Sequence, residues 1–184
     1  MDRKTDAKTR RVAQMGLLFA LSCALSIAES MLTGWMGLPP GVKPGLANVV
    51  VMLTLFFAGG RPALVLVALK AAFGALTRGL TAGFLSACGG LLSLAVLWLL
   101  HRLAGRRIGT GLLSVCGALA HNAGQLLGVG LWLHSPLTLY YLPVLLLSAV
   151  GCGLLSGAAV QLCGKALQQR GVRPFNTKNE NNSQ

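Results

Sequence analysis

Apolar residues occupy this chain in long, nearly unbroken runs, and charged residues fall almost entirely between them. The runs lack the strict alternation of a half-buried strand, and those near about 20 residues are long enough to cross a hydrocarbon core as helices. Six helices are predicted, over residues 11–32, 46–58, 63–78, 83–103, 109–133 and 144–167. The breaks carry turn chemistry: Pro39, Pro40 and Pro44 in a loop over 33–45, the turn Gly59-Gly60-Arg61-Pro62, a basic link over 101–107, and Pro136 and Pro143 around an interfacial lead-in at 137–142. So short a turn makes the second and third helices antiparallel neighbours. Both are short, so they are expected to tilt little or to be partly re-entrant.

The first helix carries two rows of small residues. Gly16, Ala20, Ala24 and Ala28 recur every fourth position, and Ser22, Ser26 and Ser30 form a second row about 160° around the axis. In lipid, small residues at this spacing let another helix approach closely. One row is therefore expected to dock a helix, belonging either to this chain or to a separate membrane subunit.

Composition agrees with the pattern: of 184 residues, 54% are hydrophobic and 11% charged. That much apolar surface can be covered only by lipid, which excludes a soluble enzyme. The expected fold class is an all-α membrane protein, a bundle of about six transmembrane helices. A basic tail over 1–10 precedes the membrane domain over 11–168, and a polar tail over 169–184 has too little apolar content to fold. The run over 12–32 exceeds a signal-peptide h-region and reads as an uncleaved first helix.

The net charge of +12 would ordinarily point to nucleic acid. Its distribution points to membrane topology instead. With the N-terminus inside, the cytoplasmic segments hold Arg3, Lys4, Lys8, Arg10 and Arg11, then Arg61, then Arg102, Arg106 and Arg107, and finally Lys165, Arg170, Arg173 and Lys178. Only Lys43 and Arg78 fall outside, with Lys70 inside a span. The positive-inside rule thus predicts both termini in the cytoplasm and no nucleic-acid partner. Trp35, Trp132, Tyr140 and Tyr141 then form the outer aromatic belt and Trp98 the inner one. The five cysteines are odd in number, lie inside apolar runs and read as small packing residues.

A few polar residues interrupt the apolar runs. Glu29 is the only acid within one, about 27 Å along the helix from Arg11, where it either snorkels to the surface or faces a ligand with Lys43 or Arg78 as partner. Lys70 sits in mid-helix and needs a cavity, a counter-charge or an anionic ligand unless it snorkels. His121 and Gln125 share a face with Gly117 and Gly128, with Asn122 about 100° away, and either bond to another helix or line a small-molecule site. Ser86, Gly89, Gly90 and Ser93 give the fourth helix a comparable face. Diphosphate-binding, P-loop, zinc-protease and nucleophile-elbow motifs are all missing, so no catalytic residue, cofactor or metal is expected. Any ATP-driven transport would need a nucleotide-binding partner chain.

The segments Glu29-Ser30, Gly45-Leu46-Ala47-Asn48, Gly89-Gly90-Leu91-Leu92-Ser93 and His121-Asn122-Ala123-Gly124-Gln125 resemble, in that order, the membrane family named both Gx transporter and heptaprenyl diphosphate synthase component I. The resemblance covers nearly all of 12–167. That family is similar to the substrate-binding S components of energy-coupling factor (ECF) transporters, six-helix proteins that bind vitamin-like molecules near the outer side. The resemblance implies that Ala20 and Ala24 belong to a docking face for a membrane coupling subunit. It makes Glu29, Asn48, Lys70, Arg78, His121, Asn122 and Gln125 candidates for the substrate site. Lys70 stands where arginine is expected, which removes a bidentate donor. The implied function is capture of a small, partly apolar metabolite, such as a quinone or isoprenoid precursor or a vitamin-like compound, for an ATPase-driven module. The alternative is a non-catalytic membrane subunit of a polyprenyl diphosphate synthase in quinone biosynthesis, docking through the link at 101–107.

Overall fold

The computed structural model describes residues 3–35, 47–104, 109–133 and 142–169. Lys43, Arg106, Arg107, Tyr140, Tyr141 and the tail beyond 169 lie outside the described residues. Among those described there are six helices and no strand: α1 (Arg3–Trp35), α2 (Asn48–Ala58), α3 (Gly60–Arg78), α4 (Leu80–Ala104), α5 (Thr110–Leu133) and α6 (Leu142–Gln169). The expected bundle of about six helices is present, and five of them contain a segment long and apolar enough to cross a membrane.

Several boundaries differ from the sequence reading. The helix reaches back to Arg3 through the stretch read as a tail. Pro143 lies in the first turn of α6, so that helix begins at Leu142. Arg61 and Pro62 lie in the first turn of α3, where a missing N–H has no helical partner to lose. With its full 19 residues α3 can span the membrane. It is α2 alone that falls short: 11 residues rise about 16 Å, roughly half of a hydrocarbon core.

Single glycines join α2 to α3 and α3 to α4. Gly59 (φ 96°) donates its N–H to Thr54 O at 3.0 Å and accepts from Ala63 N at 3.3 Å. Gly79 (φ 95°) likewise donates to Ala75 O at 3.1 Å and accepts from Gly83 N at 3.2 Å. Each therefore closes one helix and opens the next in a left-handed conformation that side chains strain to adopt.

Helix α2 is the centre of the molecule, touching α1, α3, α4, α5 and α6. Its sequence is apolar on every side, as a helix surrounded by other helices requires. Val50, Val51, Met52, Leu53 and Leu55 form the core with Leu66 and Val67 of α3, Leu94 and Leu97 of α4, Leu113 of α5 and Val160 of α6. Around it, α3, α4, α5 and α6 pack in sequence order, and α1 lies against α2 and α3. Glycines mark the closest approaches. A Cβ on Gly124 would sit 2.6 Å from Cys88 O of α4, and one on Gly153 would sit 2.7 Å from Val115 Cα of α5.

The two ends differ. Trp98 covers Gly60, Phe56 packs on His101 at 5.2 Å between ring centroids, and Arg102 stacks over Trp98 at 5.2 Å, all at the end that bears Arg61. At the opposite end Phe84 packs against Trp132 at 5.4 Å. Leucines such as Leu17, Leu76, Leu147 and Leu162 stand exposed on the sides, the surface a multi-pass membrane protein presents to lipid.

Candidate functional site

The inner face of α1 is its serine row. Ser22, Ser26 and Glu29 are almost completely buried, while Gly16, Ala20, Ala24 and Ala28 are exposed. The two rows thus have opposite fates. Serines pack within the chain, and among the described residues none comes within 4 Å of a Cβ built on Gly16.

Glu29, at 1% exposure, points into the bundle instead of snorkelling. It lies between Ser26 and Ser30 on α1, the two hydroxyls that Arg78 of α3 reaches. Lys70, at 6% exposure, is buried one turn before Gly74 on α3. Arg78 ends α3 and is half-buried. Its guanidinium turns back one helical turn to Gly74, where a Cβ would meet Nη2 at 3.2 Å. From there Nη1 donates to Ser30 Oγ at 3.2 Å and Nη2 to Ser26 Oγ at 3.4 Å. Gly74 therefore makes the room that lets an arginine at a helix end face inward.

A second polar group crosses α2, α4 and α5 near mid-depth. Asn48 Nδ2 donates to Ser93 Oγ at 2.6 Å, and Ser93 Oγ donates to Gly117 O at 2.8 Å. Because the hydroxyl proton is committed to Gly117, the amide must present its NH2 to Ser93, which fixes Oδ1 as a free acceptor. Oδ1 is buried and has no hydrogen-bond partner among the described residues. Buried polar atoms are seldom left so, and each one calls for a water, a ligand or a functional reason.

One turn from Ser93 and Gly117, His121 and Gln125 lie against the α4 backbone. A Cβ on Gly89 would come within 2.9 Å of both their side chains, so only glycine permits this approach. His121, Asn122 and Gln125 are all buried, and each has an interaction partner. Asn122 is buried despite its different angular position because α5 is packed on one side by α4 and on the other by α6.

The structure thus turns Arg78 toward Ser26 and Ser30, which flank Glu29 on α1, buries Lys70 farther along α3, and joins Asn48 through Ser93 to the helix that carries His121, Asn122 and Gln125. Ala20 and Ala24 lie apart, on the outer face of α1. Ser93, Ser26 and Ser30 are the polar partners not assigned to a site from the sequence, although the small-residue rows that contain them are visible there. All five thiols are free. Among the described residues no group of three His, Cys, Asp or Glu side chains could hold a metal ion.

The family model described as heptaprenyl diphosphate synthase component I matches residues 18–163, from within α1 to within α6. No curated protein and no solved structure matches the chain.

Proposed function

The chain belongs to the heptaprenyl diphosphate synthase component I family, and on that premise we propose that it is a substrate-binding membrane transport component. It captures a small, partly apolar metabolite, of the vitamin-like, quinone-precursor or isoprenoid-precursor kind, and delivers it to a separate ATP-hydrolysing module. Both termini lie in the cytoplasm, and the polar cluster lies in the half of a bacterial cytoplasmic membrane that faces outward. The chain itself is not an enzyme and performs no prenyl transfer.

The observation that carries this reading is the burial of Glu29, Asn48, Lys70, His121, Asn122 and Gln125 inside a bundle whose other interior residues are mostly apolar. Ionisable groups at membrane depth are costly and persist where they serve a substrate or ion path. Apolar walls with a few convergent polar groups are how small-molecule sites are built. The exposed row of Ala20 and Ala24 supports the rest, since a helix from a coupling subunit could approach closely there.

Mass spectrometry of the tagged protein, gently solubilised from its native membranes, tests this. Co-purification of ATPase and coupling subunits with a small molecule is expected. Recovery of a soluble prenyl synthase without them would replace this reading with the alternative of a membrane accessory subunit. That alternative draws on the family's description and on the basic end, where Arg102 is held over Trp98. It predicts that neutralising Arg102, Arg106 and Arg107 together lowers synthase association.

A further inference from the structure

The end of the bundle that bears Arg61 carries two exposed arginines, Arg61 on α3 and Arg102 on α4. No Asp or Glu occurs across 30–179, so neither helix brings a carboxylate to them. Trp98 links the pair. A Cβ built on Gly60, the neighbour of Arg61, would lie 3.7 Å from the indole, and the Arg102 guanidinium stands over the same ring at 5.2 Å. A cation over a ring face is held by charge and not by hydrogen bonds, so that contact leaves the guanidinium N–H groups available to an oxyanion. Away from the arginines the same seam is apolar. Helices α3 and α4 run antiparallel along it, with Gly60 against Trp98, Val67 against Gly90 and Ala75 against Gly83. By the helical repeat Leu64 and Ala68 share the side of α3 that bears Arg61, and Leu91 shares the side of α4 that bears Trp98 and Arg102. All of these side chains are exposed.

We propose that this end of the α3–α4 seam binds an anionic phospholipid, its phosphate held by Arg61 and Arg102 and its acyl chains lying along Leu64, Ala68 and Leu91. The inference rests on the chain's being a multi-pass membrane protein and on nothing about its substrate. A lipid fits better than a soluble anion or an acidic protein, because the two cations stand at the rim of a lipid-facing apolar surface. A phosphodiester carries two charge-bearing oxygens, which suits an arginine on either side of it. Trp98 adds an indole N–H, with Nε1 4.0 Å from the Cβ built on Gly60, at the depth where amphipathic rings settle between tails and headgroups. A zwitterionic lipid brings its own cation to the two arginines and so gains less.

The test uses the full chain in a neutral detergent at physiological salt, stripped of native lipid. Native mass spectrometry counts the phosphatidylglycerol it retains in competition with phosphatidylcholine of the same acyl chains. The proposal expects one phosphatidylglycerol per chain, held in preference to phosphatidylcholine. Arg61→Gln and Arg102→Gln each lower that affinity about fivefold, and together about twenty-five-fold. Lys165→Gln removes a like charge from α6 at the same end, where Gly164 lies beside Phe57 of α2, and changes the affinity by less than about twofold. The three side chains are exposed, so the variants should fold; circular dichroism checks this, and Arg61→Gln serves alone if Arg102→Gln does not fold. Equal retention of the two lipids overturns the proposal, as does an affinity unchanged in the double variant. A loss in Lys165→Gln matching that in the arginine variants also overturns it, because it marks a diffuse field and not a site. Capture of an acidic protein by the wild type alone, with phosphatidylglycerol bound equally by wild type and double variant, replaces the lipid with a protein partner. The substrate reading stands or falls separately, since none of the buried polar residues takes part.

Discussion

Ser93→Ala would remove a hydroxyl that bonds α2 and α5 to α4. Ser93 Oγ is fully buried, accepts from Asn48 at 2.6 Å and donates to Gly117 O at 2.8 Å, so both bonds disappear. Hydrogen bonds between helices in membranes contribute about 0.6 kcal/mol on average and up to about 1.7 kcal/mol. The Asn48 amide is also left without an acceptor, which adds roughly 1 kcal/mol where water cannot replace it. The variant should therefore lose about 2 kcal/mol of stability. Asn48→Leu should cost less than about 1 kcal/mol, because it leaves the bond from Ser93 to Gly117 intact and removes the unpartnered Oδ1. In the double variant the abandoned amide no longer exists and the shared bond is lost only once, so the two costs should fall short of additivity by about 1.5 kcal/mol. Reversible unfolding in mixed micelles, followed by circular dichroism, measures all three. A loss below about 0.5 kcal/mol for Ser93→Ala, or strict additivity, would refute the hydrogen-bond chain.

Two further substitutions probe helix contacts. Gly124→Ala places a methyl against the Cys88 carbonyl and the Gly89 backbone, atoms that cannot move aside, so it should destabilise the bundle by about 1–3 kcal/mol in the same unfolding assay. Ala24→Trp adds bulk on the open face of α1, so it should leave stability within about 0.5 kcal/mol of the wild type and abolish co-purification of a coupling subunit. Normal recovery of that subunit would remove the alanine row from the interface.

The helices were legible because membrane spans announce themselves by length and composition, and their breaks by proline, glycine and charge. The boundaries at Arg61-Pro62 and Pro143 were misplaced because proline disrupts a helix only beyond its first turn. The central place of α2 is visible only in its apolar residues on every side, a weak sign that does not say which helices surround it. The first helix showed two small rows but not which would face inward, since that depends on where α2 and α3 lie. Glu29 could have snorkelled by its depth along the helix. Its burial follows from Arg78, which folds back over Gly74 toward α1, and no periodicity in either helix reveals that meeting. His121 and Gln125 were readable as inward residues from the glycines on their face. Their closeness to α4 depends on Gly89, which lies far away in sequence on another helix.

The most direct test of the central claim compares the small molecules retained by wild-type protein and by His121→Ala, both purified in parallel from native membranes and shown to be folded. The account predicts one small, partly apolar metabolite, present near stoichiometric amounts in the wild type and lost from the variant. Identical small-molecule content in the two preparations would contradict the claim that the buried polar residues of this bundle hold a substrate.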